Sequence, residues 1–158
     1  MRKSAIFFGS LSGVLLIVAS PSQAGTASGV MEVSFKVLPG CNVTAQSLAF
    51  AARAGSGAEA EASIDVTCSA ESGVQVSLDN GRNASDGVRR MASTTGAMVP
   101  YEIYQDAGRT RRWQNVAVRS VAGPDAPLRI IAFGRIEPDG SAVPVGEYRD
   151  SVTVTVAF

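Results

Sequence analysis

Two cysteines, Cys41 and Cys68, and a complete lack of histidine set the limits of the chemistry open to this 158-residue chain. A thiol pair can form a disulfide, supply part of a metal site, or act in redox or nucleophilic catalysis. The two thiols are not arranged as Cys-x-x-Cys, and a zinc site built on them would lack half its usual ligands. Ser-His-Asp and Cys-His catalysis and the His-Glu-x-x-His metal motif all need an imidazole that the chain does not have. Paired carboxylates could act on glycosides, but the 14 Asp and Glu residues are scattered without a pattern that promotes it. Gly55-Ser56-Gly57 lacks the lysine and the strand-to-helix setting of a phosphate-binding loop. The reading is therefore of a protein that is not an enzyme and carries no cofactor or metal.

A disulfide needs an oxidising compartment, and the start of the chain supplies a route to one. Arg2 and Lys3 precede an apolar run from Ala5 to Val18, and Ser22-Gln23-Ala24 gives the small-x-small pattern of a cleavage site. The run is shorter than the ~20 residues of a spanning helix, so residues 1–24 are expected to be a removable signal peptide. No membrane span is then expected after cleavage. The exported part would begin at Gly25 and hold 134 residues, one domain by length. In that setting Cys41 and Cys68 read as a disulfide closing a loop of about 28 residues and worth roughly 3–4 kcal/mol. Without Arg2 and Lys3 the balance is 12 basic against 14 acidic residues, which does not point to nucleic acid or an anionic membrane. The basic cluster Arg109, Arg111 and Arg112 reads as a solvated loop, as does Arg89-Arg90.

The elements that would carry the cysteines are strands. Ala62, Ile64, Val66 and Cys68 alternate with Ser63, Asp65 and Thr67, and Val74, Val76 and Leu78 run up to the turn Asp79-Asn80-Gly81. Val99, Tyr101 and Ile103 alternate with Pro100, Glu102 and Tyr104. Further strands are expected over Trp113–Val121 and Leu128–Ile136, the latter with a continuous run Ile130-Ile131-Ala132-Phe133 that reads as buried on both faces. The alanine-rich stretch 45–62 is broken by Gly55 and Gly57 and is expected to be a loop with at most a helical turn. Residues 80–98 read as a long connection with little regular structure. The pattern is that of an all-β sandwich.

Both ends of this sandwich are unusual. From Tyr148 to Phe158 the sequence alternates to the final residue, with Val152, Val154, Val156 and Phe158 on one face. A strand in that position is an edge strand, or is paired from outside this part of the chain. Near the other end, Met31, Val33, Phe35 and Val37 alternate with Glu32, Ser34 and Lys36, up to Pro39-Gly40. This segment could be the first strand of the sandwich. It could also be a strand that fills the place beside the last strand of another molecule, with main-chain bonds setting register and alternate side chains filling pockets. Such head-to-tail contact does not close on itself and builds a filament.

Several stretches together resemble the spore coat protein U domain family, subunits of archaic chaperone–usher pili. They are Pro39-Gly40-Cys41-Asn42-Val43, Ile64-Asp65-Val66-Thr67-Cys68, and Val99-Pro100-Tyr101-Glu102-Ile103-Tyr104-Gln105-Asp106 with Arg109-Thr110 and Trp113. Phe133-Gly134-Arg135-Ile136 and the whole ending from Pro144 to Phe158 complete the set. Where the family has glycine and soon an aromatic residue after Leu48-Ala49-Phe50, this chain has Ala51-Ala52-Arg53. The resemblance implies an incomplete immunoglobulin-like β-sandwich over 38–158, completed by a donor strand from a chaperone or a neighbouring subunit. By it residues 25–37 are an N-terminal donor extension, with Met31, Val33, Phe35 and Val37 as donor side chains. Val152, Val154, Val156 and Phe158 line the acceptor groove. The implied partners are a periplasmic chaperone, an outer-membrane usher and neighbouring pilin subunits in a homo- or hetero-polymer. Export through the periplasm to the cell surface, as pilus or as spore or surface-coat fibre, follows from the same resemblance. The length fits a rod or linker subunit rather than a two-domain tip adhesin.

The competing reading is a self-contained secreted β-sandwich that binds a sugar or a surface protein. It requires an exposed recognition patch, for which Tyr101, Tyr104, Trp113 and Tyr148 are the aromatic candidates. The strand positions of the first three favour core packing. The glycosylation patterns Asn42-Val43-Thr44 and Asn83-Ala84-Ser85 are too short to carry meaning.

Overall fold

The period-2 alternation folds as strands throughout. A computed structural model describes residues 24–53, 56–138 and 143–158. All of the expected signal peptide except Ala24 lies outside the described residues. Among them nine strands form: β1 (Cys41–Ala45), β2 (Ala58–Cys68), β3 (Ser72–Leu78), β4 (Arg89–Ser93), β5 (Met98–Tyr104), β6 (Val118–Ala122), β7 (Leu128–Ile136), β8 (Tyr148–Arg149) and β9 (Val154–Ala157). One sheet has six strands in the order β1-β2-β7-β5-β4-β8, the other three in the order β6-β3-β9. Every pairing is antiparallel. Among the described residues no helix is long and apolar enough to cross a membrane.

The core follows directly from the alternation. Ile64, Val66 and Cys68 of β2 meet Val74, Val76 and Leu78 of β3, with Tyr101 and Ile103 of β5 and the fully buried Trp113 beside them. Gly134 in β7 is required by this packing: a Cβ there would stand 2.6 Å from Phe50 and 2.8 Å from Leu48. The loop after β1 therefore lays Leu48 and Phe50 over the sheet, with the Phe50 ring 6.1 Å from that of Tyr101.

The disulfide joins the edge strand to the longest strand. Cys41 and Cys68 are direct partners in the β1–β2 register, with an Sγ–Sγ distance of 2.02 Å and Cα atoms 4.0 Å apart. Gly40 and Ser69 reinforce the same point: the Ser69 amide donates to the Gly40 carbonyl at 2.9 Å, and the Gly40 amide to Ser69 Oγ at 3.0 Å.

Several expectations change. Residues 80–98 are not irregular throughout, because β4 pairs there with β5 through Arg89↔Tyr101 to Ala92↔Met98. β2 begins at Ala58, inside the stretch read as loop, since Ala58 to Val66 pairs along β7 from Ile136 to Leu128. The strand expected from Trp113 starts only at Val118; the Trp113 ring is sunk into the core and its amide donates to the Ile103 carbonyl at 2.7 Å. β7 is not buried on both faces. Ile131 and Phe133 point outward, half-buried, under a polar cover. Arg109 stands 5.9 Å over the Phe133 ring, and Arg129 and Arg135 pair with Asp65 and Glu59 at 2.6 and 2.8 Å. Arg109 is accordingly not a solvated residue: its side chain is 10% exposed and pairs with Glu59 at 3.2 Å.

Residues 24–36, the described part of a unit separate from Val37–Phe158, have no regular secondary structure. Residues 30–37 form no strand here, and the first strand in chain order is β1. Met31, Val33 and Phe35 are 85, 85 and 90% exposed, an unusual state for three large apolar side chains in alternation.

The position of the disulfide yields a prediction. Replacing Cys41 and Cys68 together by Ser should cost about 2–4 kcal/mol of stability in denaturant titrations under oxidising conditions. A midpoint equal to that of the parent chain would show that the bridge does not hold β1 in place.

Candidate functional site

The candidate site is an open strand edge. β9 pairs on one side with β3 (Gln75↔Ala157, Val76↔Val156, Ser77↔Thr155, Leu78↔Val154). Among the described residues no strand pairs with its other side. β1, the outer strand of the large sheet, pairs only with β2 among the described residues and approaches β9 to within 8 Å between Cα atoms. Two edges with unpaired main-chain groups thus lie next to each other, and a three-stranded sheet faces a six-stranded one. Val152, Val154 and Val156 pack against the core yet remain half-exposed, and Phe158 is 60% exposed. Of the four residues named from sequence as the acceptor face, three therefore pack against the core and Phe158 does not.

The tail is not one continuous strand as expected. β8 pairs with β4 in the large sheet (Ala92↔Arg149, Ser93↔Tyr148), and β9 with β3 in the small one. Residues 150–153 cross between the sheets. They are held by two carboxylates that the sequence reading assigned no role. Asp150 accepts from Tyr101 Oη at 2.7 Å and from the amide and Nδ2 of Asn83, both at 3.1 Å. Asp79 accepts from the amides of Thr153 and Gly81, both at 2.9 Å. The Asp79 amide in turn donates to the Thr153 carbonyl at 3.1 Å, and the Arg82 amide to that of Ser151 at 3.0 Å. Gly81, at φ +81°, is required here, because a Cβ would run into the Asp150 carboxylate.

Arg89 backs this clamp and corrects a second expectation. It is 1% exposed, not solvated, and its guanidinium donates to the Asp79 carbonyl at 3.0 and 2.5 Å and to the Trp113 carbonyl at 2.8 Å. Burial lowers its pKa, and Tyr101, Glu102, Asp79 and Asp150 oppose that shift. Tyr101 is raised by burial first and by its bond to Asp150 second, so it stays a donor at any physiological pH. For Asp79 partial burial pushes upward, but the bonds from Thr153 and Gly81 and the Arg89 charge outweigh it and hold the carboxyl below the ordinary 3.8.

Of the aromatic candidates for ligand stacking, Tyr101, Tyr104 and Trp113 are in the core, 5, 6 and 0% exposed, and Tyr148 is half-buried. A cleft of about 490 Å³ opens between Leu48, Phe50, Met91, Val99, Ile136 and Tyr148. Among the described residues no group of three or more Cys, Asp and Glu side chains converges to hold a metal ion.

The sign of the Asp79 shift sets a pH dependence. A carboxyl whose folded pKa is depressed stabilises the fold above its unfolded value, and the contribution is lost as pH falls through the folded value. Stability should therefore be level near neutrality and decline below about pH 4, with Asp79→Asn showing a shallower decline in acid melts. Asp65 and Asp106 are also lowered and will retain part of the slope. An unchanged acid profile in Asp79→Asn would contradict the assignment.

Two solved chains are similar to this one. A chain of the crystal structure of the CsuC–CsuE chaperone–tip adhesion subunit pre-assembly complex, from archaic chaperone-usher Csu pili of Acinetobacter baumannii, is 29% identical. The match has a TM-score of 0.60 and covers 77% of this chain and 40% of that one. A chain of a chaperone–tip adhesin complex of CFA/I fimbriae biogenesis is 16% identical with a TM-score of 0.44, covering 73% of this chain and 41% of that one. The chain thus spans about two-fifths of the length of these solved chains. No curated protein matches it. The Csu likeness is one of fold, an immunoglobulin-like sandwich, here open along β9. The Spore Coat Protein U domain model matches residues 27–155, from the exposed N-terminal segment into β9, and the chain belongs to that family.

Proposed function

We propose that this protein is a structural subunit of a surface fibre, a pilus or a coat filament, that polymerises by donor-strand exchange. The observation that carries the reading is the pairing of two complementary features in one chain. One is an open edge at β9 above half-buried valines; the other is an exposed alternating segment ending a few residues before β1. A second copy's Met31, Val33, Phe35 and Val37 are the side chains to lie over Val152, Val154, Val156 and Phe158, while main-chain bonds pair the free edge. Because each molecule has one donor and one acceptor, the contact propagates head to tail.

Before assembly the open edge is an aggregation hazard, and the partner that meets it is a periplasmic chaperone lending a strand. Release at an outer-membrane usher then exchanges that strand for the next subunit's. The likeness to a chain of the A. baumannii Csu chaperone–subunit pre-assembly complex supports the chaperone step. Residues 1–24 would direct export and be removed. The rival reading, a self-contained binding module for a sugar or surface protein, loses support from the burial of Tyr101, Tyr104 and Trp113.

Deleting residues 25–37 tests the reading. The shortened subunit should still be captured by its chaperone and still accept a donor, but should not donate to the next subunit, so that fibres end where it is incorporated. Fibres of normal length made from the deletion alone would refute the donor assignment.

A further inference from the structure

An edge strand with one partner and half-exposed side chains has little to hold it before a donor arrives, since an unpaired edge contributes no main-chain bonds on that side. β9 has only four residues in its ladder with β3. The segment leading into it is much more firmly tied. Between Arg149 and Thr153 it is hydrogen-bonded at five points: the Arg149 carbonyl accepts from Asn83 Nδ2 at 3.1 Å, the Asp150 carboxylate from Tyr101 and Asn83, and the Ser151 carbonyl from the Arg82 amide. The amide and carbonyl of Thr153 are the fourth and fifth, both engaged by Asp79. These contacts come from both sheets, since Tyr101 lies in β5 of the large sheet and Asp79 directly follows β3 of the small one. They also avoid the open edge, so a donor can enter without breaking any of them.

We infer that Tyr101, Asn83, Asp79 and Asp150 are positioning residues that preset the acceptor strand for donor capture. The inference rests on the donor-strand reading above and adds to it the residues that prepare the groove. Tyr101 and Asp150 carry the interaction, because a hydroxyl bonded at 2.7 Å to a half-buried carboxylate is the strongest contact of the set. Asp79 is exposed and contributes through geometry more than charge. Without the clamp, β9 would have to be ordered during the encounter, and capture would bear that entropy. A bound donor pairs the free edge itself, so the clamp matters less once the donor is in place.

The test uses the chain from Gly25 to Phe158, refolded and kept dilute, with a fluorescent peptide of residues 25–38 as the donor. Association and dissociation rates are measured for the parent and for Tyr101→Phe, Asn83→Ala and Asp106→Asn. Asp106 is a matched control: its carboxylate accepts from Thr110 and Arg111 within its own loop and touches no residue of the tail. Tyr101→Phe should slow association about five- to ten-fold, with dissociation changed less than about two-fold. Asn83→Ala, a milder change at a partly exposed residue, should act in the same direction, and Asp106→Asn should leave both rates at parental values. Most interface changes appear in dissociation, so selective loss of association is the signature of presetting. Unchanged association in folded variants, an equal loss in Asp106→Asn, or failure of both clamp variants to fold would overturn the proposal. Absence of saturable peptide binding by the parent would instead defeat the donor-strand reading on which it rests.

Discussion

Main-chain hydrogen bonding is the constraint on which the rest of this structure depends. Every strand inside a sheet satisfies its amides and carbonyls through two neighbours, and an edge strand through one. β9 is an edge strand of the smaller sheet, in which three strands face six. Its valines are therefore neither core nor surface: they pack against buried residues and still meet water. An added strand would remove both defects together, pairing the edge and covering the side chains. The exposed Met31, Val33 and Phe35 have the converse defect, apolar side chains without a core. Each feature is unfavourable alone and makes sense beside the other.

The remainder of the fold leaves that edge open. The Cys41–Cys68 bridge and the Gly40–Ser69 bonds fix β1 at the point where the N-terminal segment ends. Leu48 and Phe50, seated over Gly134, close one stretch of the core without occupying the β9 edge. Asp79, Asn83, Tyr101 and Asp150 hold the crossing segment, with the buried Arg89 behind them. The charged outer face of the large sheet, where Arg109, Arg129 and Arg135 meet Glu59 and Asp65, shields Phe133 and keeps that side polar.

Much of this was legible in sequence because period-2 alternation reports burial directly. Ile64-Val66-Cys68, Val74-Val76-Leu78 and Val99-Tyr101-Ile103 announced their inward faces, and the two cysteines announced a link between strands. The clamp was not legible, because its parts lie at positions 79, 83, 101 and 150 and each has an ordinary local role. Asp79 begins a turn, Asn83 sits in a loop, and Asp150 occupies a polar place in the tail. Only the crossing of the chain between sheets brings them together. Arg89 misled for a related reason: beside Arg90 in a polar stretch it looks solvated, and its burial depends on Trp113, 24 residues away. Ile130 to Phe133 misled in the opposite sense. A run of four apolar residues suggests burial on both faces, whereas arginine stems cover one face here.

The open edge at β9 is best tested by thermal melting of residues 38–158, with and without a synthetic peptide spanning Gly25 to Leu38. A large, saturable rise in melting temperature is the result expected if the sandwich lacks a strand that the N-terminal segment of a neighbour supplies. A stable domain indifferent to the peptide would mean that the sandwich is complete as it stands, and would contradict the account.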